Sequence, residues 1–323
     1  MRQSSIVIAS LWSWAHAAAA PPPPTYALFW ADHKGVVWTA DETGEKRQVA
    51  TLPSPPLDGP AVAGAEAGHL AFLTTGGVVV LPAGSDRPVV VKAELPHPDR
   101  DLEGLSFAGG KLLITQGFDS VAADRNPRGS EDVSVRLPKK LASQPAAPTT
   151  LAELGSAAPK GASLVPETIV NPLGRFRKVS VRLDGEEDPI ELASEFDEGC
   201  CEDPEEDPDA TCRCSHELTG SGWLPGGYAW ASLTSSGAEY DAEQGGYGTA
   251  TETFLVSSET QERLAVRDVS GRPGGGAWLM EVVAYPKAKR LICSASGCRE
   301  LPADADAAVW GRARAHEVVP SAP

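Results

Sequence analysis

The chain has 323 residues, 41% of them hydrophobic, and a formal net charge of −16. The length suits one large all-β domain or two ordinary ones, and the apolar share is enough to build a core, which argues against wholesale disorder. An acidic surface repels phosphate backbones, so the charge argues against nucleic acid as a partner.

The first segment reads as an export signal. Arg2 supplies the positive charge, "IVIASLWSW" (residues 6–14) the apolar stretch, and Ala15-His16-Ala17 the small residues of a cleavage point. The apolar run is shorter than the roughly 20 residues a membrane span needs, and "AAAAPPPP" follows it at once. Residues 1–17 are therefore expected to be a signal peptide and 18–25 an Ala/Pro-rich linker, leaving residues 26–319 as the folded domain. The expected location is extracellular or periplasmic, with no membrane span.

Strand signals begin at residue 26. "YALFWADHKGVVWTADETGEKRQVATLP" (26–53) reads as three strands with turns at "DHKG" and "ETGE". "HLAFLTTGGVVVLPAGSDRPVVVKAELP" (69–96) repeats that order of strand, turn, strand, turn, strand, and "WLMEVVAYPKAKRLICSASGCRELP" (278–302) does so again. Phe29 and Phe72 hold equivalent places 43 residues apart, and "VSVRL" recurs at 133–137 and 179–183. A period of 40–50 residues built from strand–turn–strand units points to a β-propeller, here of six or seven blades with long rim loops. The ring is expected to close by joining the N-terminal strand to the last blade. Tandem β-sandwiches, which also show a strand about every 8–12 residues, are the alternative.

"DRDLEGLSFAGGKLLITQGFDS" (99–120) starts a further unit. Its "DLEGLSF", glycine turn and "LLITQ" resemble a strand motif of secreted propellers of the esterase-like phytase type, over about twenty residues of this chain. The resemblance implies that Asp101 and Glu103 face the channel mouth and hold a cation there, as in a metal-dependent phosphoesterase-like hydrolase. Read without it, "DLEG" is turn chemistry entering a strand. The cluster "RFRK" (175–178) reads as a solvated strand.

Three insertions interrupt the pattern, near residues 139–174, 195–217 and 235–250. The first is rich in Ala and Pro and contains "TTLAELGS", which has the signals of one short capped helical turn or two. The second, "EFDEGCCEDPEEDPDATCRCSHE", sets ten carboxylates against Arg213 and holds four of the six cysteines. In an oxidising compartment an even cysteine set is expected to pair. Cys293 and Cys298 flank the turn "SASG", so a bridge across that hairpin follows; Cys200 with Cys214 and Cys201 with Cys212 is the nested pairing expected of the rest, because adjacent cysteines bridge each other only under strain. Asp203, Glu205, Glu206, Asp207 and Asp209 offer the dense oxygens of a weak calcium site, although Pro204 and Pro208 break the alternation an EF-hand loop requires. Without calcium the stretch is a solvated, disulfide-stapled flap.

No motif of nucleophilic catalysis appears. G-x-S-x-G is missing, although "GSGW" (220–223) places Ser221 among glycines, and the histidines form no HExxH pair. Trp223 and Tyr228, beside glycine turns, are the candidate ligand-stacking residues. The leading functional reading is a secreted, non-catalytic binding protein that recognises an extracellular protein or glycan through its rim loops. The two alternatives are the phosphoesterase-like hydrolase with its channel cation and a low-affinity calcium-binding surface protein.

Overall fold

The computed structural model describes residues 25–41, 43–57, 61–94, 102–119, 128–171, 173–196, 214–237, 248–283, 288–305 and 307–313. Strands β1 (Tyr26–Ala31), β2 (Val36–Ala40) and β3 (Lys46–Thr51) form an antiparallel meander. Strands β4 (Val62–Gly64), β5 (Leu70–Thr74), β6 (Gly77–Leu81) and β7 (Val89–Lys92) form a second sheet. A third contains β8 (Leu102–Ala108), β9 (Lys111–Asp119) and β10 (Arg128–Arg136), and a fourth β11 (Ala162–Asn171), β12 (Gly174–Leu183) and β13 (Ile190–Ser194). A seven-stranded sheet follows, with β14 (Cys214–Leu224), β15 (Tyr228–Gly237), β16 (Gly248–Ser257), β17 (Arg263–Gly271), β18 (Ala277–Val282), β19 (Lys289–Ser294) and β20 (Gly297–Glu300) in that order. Finally β21 (Val309–Arg312) returns to pair with β1, Tyr26 opposite Arg312 and Phe29 opposite Val309.

The local chemistry of the first hairpin shows why these runs fold as they do. Trp30 and Trp38 lie opposite each other on β1 and β2. The turn between them is held by one carboxylate: Asp32 accepts the backbone N–H groups of Lys34 and Val36 at 2.9 and 3.0 Å and the Trp38 indole N–H at 2.9 Å. These bonds hold the Asp32 carboxyl below the usual range, although burial, the largest single influence, pushes it up.

Five apolar clusters among the described residues pack groups of strands against one another. One joins β1–β3 to β4–β7 through Phe29, Phe72 and Leu81. Another joins β4–β7 to β8–β10 through Leu73, Phe107 and Ile114. The sheet of β11–β13 meets β14–β16 through Val181, Leu192 and Trp223. β14–β16 meets β17–β19 through Leu224, Trp230 and Trp278. Leu28, Trp30, Ile292 and Trp310 join β17–β20 back to β1–β3; no cluster among the described residues spans β8–β10 and β11–β13. A sheet in the middle of such a stack hides both faces. Every residue of β5 ("LAFLT") and β6 ("GVVVL") is accordingly buried, and their sequences show no polar alternation. A sandwich sheet would keep one wet face and an alternating pattern. Small antiparallel sheets stacked face to face, with the last strand paired to the first, make a β-propeller.

Innermost strands meet at the axis. β4 lies against β21 on one side and β8 on the other. The approach of β4 to β21 is so close that a methyl group on Gly64 would overlap the Trp310 carbonyl oxygen. Within the seven-stranded sheet, Arg263–Val266 of β17 continue the ladder of β16, while Val266 and Arg267 and, beyond a register shift, Ser270 and Gly271 pair with β18.

Several expectations meet a different chain path. Ring closure does join the two ends of the chain, but β21 is added to the sheet of β1–β3 as its inner strand. The repeat "VSVRL" falls on β10, third in its sheet, and on β12, second in its sheet, so it does not mark equivalent strands; Phe29 and Phe72 do, each on the second strand of a four-stranded sheet. Residues 139–174, expected to be a surface insertion, contain a short 3-10 turn (Lys139–Leu141), a crossing segment and all of β11. Their Ala and Pro content masks strand propensity that only pairing with β12 realises. Of residues 195–217 and 235–250, only Glu195, Phe196, 214–217, Ser235 to Gly237 and 248–250 are described.

Candidate binding groove beside the ring axis

Residues 143–156 run across the inner ends of the sheets. Ser143 donates its N–H to the Gly109 carbonyl at 2.8 Å, Ala146 to Gly64 at 3.0 Å, and Thr149 exchanges both backbone bonds with Gly271 at 3.1 and 2.9 Å. "TTLAELGS" then makes one turn, with Leu154 N–H bonded to the Thr150 carbonyl at 2.9 Å. A reciprocal cap closes that turn: the Glu153 carboxylate accepts the Thr150 N–H at 2.8 Å and its hydroxyl at 2.9 Å. Leu154 is buried against Gly271, where a Cβ would lie 2.8 Å from its side chain. The crossing ends where Ser156 N–H reaches the Trp223 carbonyl at 2.8 Å. What remains at the centre is a cavity of ≈ 210 Å³ walled by β4, β8, β21, Ser270 and the prolines Pro145 and Pro148.

A larger opening lies beside the axis. One cavity of ≈ 370 Å³ is bounded by Glu167 and Thr168 of β11, Arg177 and Lys178 of β12, and Thr219 and Ser221 of β14. A second, of ≈ 380 Å³, lies between the crossing segment at Thr150 and Leu151 and the strand residues Trp230 and Ser232. Thr219 and Gly220 line both, so the two openings adjoin along β14 and together make a groove beside it.

Glu195 ties the walls together. Its carboxylate accepts the Arg177 Nε–H at 2.7 Å and a second guanidinium N–H, the Arg177 backbone N–H at 2.7 Å and the Leu218 backbone N–H at 2.9 Å. Burial, the largest single influence on this group, pushes its pKa up; the Arg177 guanidinium, the two backbone donors and the Arg177 charge together outweigh it and hold the carboxyl below the usual range. Lys178 pairs with Glu191 at 2.8 Å, and Phe176 and Phe196 meet with ring centroids 5.1 Å apart at the edge of the same patch.

A lowered carboxyl pKa adds stability above the unfolded group's titration range, and that stability is lost as pH falls through the folded value. Glu195→Gln is therefore expected to lower unfolding stability by about 1–3 kcal/mol at pH 7. The gap to the unsubstituted protein should narrow steadily below the ordinary glutamate range. Urea unfolding at neutral and acidic pH checks this, and a gap independent of pH would contradict it.

The residues singled out in the sequence fall in different places. Glu103 is exposed on β8, while Asp101 lies outside the described residues. Asp203, Glu205, Glu206, Asp207 and Asp209 also lie outside them, as do Cys200, Cys201 and Cys212; Cys214 begins β14. No group of three or more metal-ligating side chains occurs among the described residues. Cys293 and Cys298 are joined, opposite each other across β19 and β20. Trp223 is only 7% exposed and packs with Val181 and Phe254 between sheets, which leaves little of its ring for a ligand. Tyr228 is half-buried, edge-on to Trp278 with centroids 5.5 Å apart. Aromatic rings beside glycine turns serve the core here because the turns bring two sheets together. Reading the sequence missed Glu195 and the pairing role of Arg177; the available signal was the basic "RFRK" lying close in sequence to a long acidic stretch.

No protein-family model matches the chain, and no curated protein does. Among solved structures the chain is similar to TolB from Acinetobacter baumannii, at 10% identity over 88% of this chain and 66% of that one, with a TM-score of 0.33. It is also similar to the AtxE2 isopeptidase, at 11% identity over 86% of this chain and 49% of that one, TM-score 0.31. A protein from Lactobacillus plantarum matches at 13% identity, over 87% and 82% of the two chains, TM-score 0.29. The chain thus spans just under two thirds of the first of these and half of the second. At TM-scores of this size the likenesses carry no argument, and the β-propeller assignment rests on the strand order, the ring closure and the interleaved cores of the chain itself.

Proposed function

We propose that this chain is a secreted, non-catalytic binding protein of the cell exterior or periplasm, which holds a protein or glycan partner in the groove along β14. One observation carries the reading. The chain's own residues 143–156 occupy the inner ends of the sheets, while a larger groove beside them stays open. A cavity of that size with a few convergent polar groups is the usual form of a ligand site. No helix among the described residues is long and apolar enough to cross a membrane.

Two measurements test the reading. N-terminal sequencing of the exported protein is expected to start at Ala18; an N-terminus at Met1 in the exported fraction would contradict signal cleavage. Immobilised mature protein on glycan and peptide arrays is expected to capture a defined set of ligands. Thr168→Trp and Thr219→Trp, which fill the groove from opposite walls, should abolish that capture and leave the thermal midpoint within a few degrees. Calcium-dependent turnover of a phosphoester, abolished by Glu103→Gln, would overturn the proposal in favour of an enzyme.

A further inference from the structure

The outer edge of β14 is blocked on both sides and open in the middle. Trp223 turns its carbonyl away from β15 to accept Ser156 N–H, and Leu218 turns its N–H away to reach Glu195. Ser221 pairs with Ala231 two places before the Trp223–Ala229 pair. Antiparallel ladders alternate, so the N–H and C=O of Ser221 point the same way as the Trp223 carbonyl, out of the sheet and toward the groove. No described residue bonds to either group. An exposed edge of this kind is a template for another strand unless it is blunted. Here blunting stops short of residues 219–222, about 13 Å of strand.

The charge around this edge has a sign. Arg177 and Lys178 are already paired with Glu195 and Glu191. Glu217, near enough to Arg177 to strengthen that guanidinium's hold on its proton, and Glu167, which does the same for Lys178, have no ion pair with a described residue. Both are exposed. Two surplus carboxylates therefore border the open edge, within a chain of net charge −16.

We propose that residues 219–222 of β14 receive an extended polypeptide segment rich in lysine or arginine as an added strand. Its main chain bonds to Ser221, and its basic side chains face Glu167 and Glu217. The inference rests on the binding reading above and narrows it to a protein partner. Main-chain bonds supply affinity in this mode of recognition, and alternate side chains supply selectivity.

The test uses the mature protein and a library of labelled decapeptides with lysine at alternate positions, read by fluorescence anisotropy. Saturable binders are expected, weakening as salt rises. N-methylation of alternate backbone amides in the best binder removes the main-chain donor to the Ser221 carbonyl without touching the protein, and should weaken it about 3–10-fold for the one bond lost. Ser221→Pro should do the same with an unchanged unfolding midpoint, because proline is tolerated where a strand's N–H faces outward at an edge. Glu167→Lys combined with Glu217→Lys should weaken binding and flatten its salt dependence. Equal affinity for the N-methylated peptide would reduce the effect to charge adsorption and overturn the proposal. A library without any saturable binder would overturn it too; if groove-blocking variants still abolished glycan capture, the broader binding reading would stand without it.

Discussion

A chain ending at Ala308 is expected to lose cooperative unfolding altogether. Such a truncation removes β21, which supplies the ladder beside β1 from Tyr26–Arg312 to Phe29–Val309. Trp310 goes with it: 5% exposed, packed with Leu28 and Leu279, and donating its indole N–H to the Ser270 carbonyl at 3.1 Å. Replacing one buried tryptophan by alanine costs about 3–5 kcal/mol, within a total stability of about 5–15 kcal/mol for a typical domain. The truncation adds the loss of a strand and opens the edge of β1 to solvent and to other chains. The expected result is a broad, non-sigmoidal urea transition with soluble aggregates on gel filtration. A sharp transition at the original midpoint would show that the ring does not depend on its closing strand. Gly64→Val tests the same seam by a single change, since any side chain there meets the Trp310 carbonyl.

The second large effect is expected at Trp278. Its ring is fully buried, pairs opposite Cys293, donates its N–H to the Pro225 carbonyl at 3.2 Å and meets the edge of Tyr228. Trp278→Ala leaves a cavity where β14–β16 meets β17–β19 and should cost about 3–5 kcal/mol. Trp278→Phe keeps most of the apolar contact and loses the indole donor, so a smaller loss of about 1–3 kcal/mol is expected from the unpaired carbonyl. Denaturant titrations should show both as midpoint shifts at constant slope. Equal losses for the two variants would show that the hydrogen bond, and not the packed volume, holds this interface.

Patterns built from short-range chemistry were the legible ones. The turns "DHKG", "TTGG" and "SASG" sit between strands as expected, since Gly and Asp shape the backbone within four residues. The bridge between Cys293 and Cys298 follows from the same hairpin. Continuous apolar runs such as "GVVVL" were legible as strands, and their burial on both faces is what the fold adds. The path of residues 143–156 was not legible, because its bonds go to Gly64, Gly109 and Gly271, far away in the chain and recorded in no local pattern. Glu195 was hidden for a similar reason. Among ten carboxylates of one acidic stretch, only the fold shows which one meets Arg177 and the Leu218 N–H. The roles of Trp223 and Tyr228 were misleading in the sequence, since a tryptophan beside a glycine looks alike on a surface loop and at a blade interface.

Hydrogen exchange on the mature protein, with and without the best-binding lysine-rich peptide, separates an open strand edge from an open axis. Slow exchange is expected at Ala146, Thr149 and Ser156 in both states, since their N–H groups are bonded across the sheet ends. Fast exchange is expected at Ser221 in the free protein, with protection there once the peptide is added. Fast exchange across residues 143–156 in the free protein, with protection gained there and not at Ser221, would place the binding site at the axis instead of at the β14 edge.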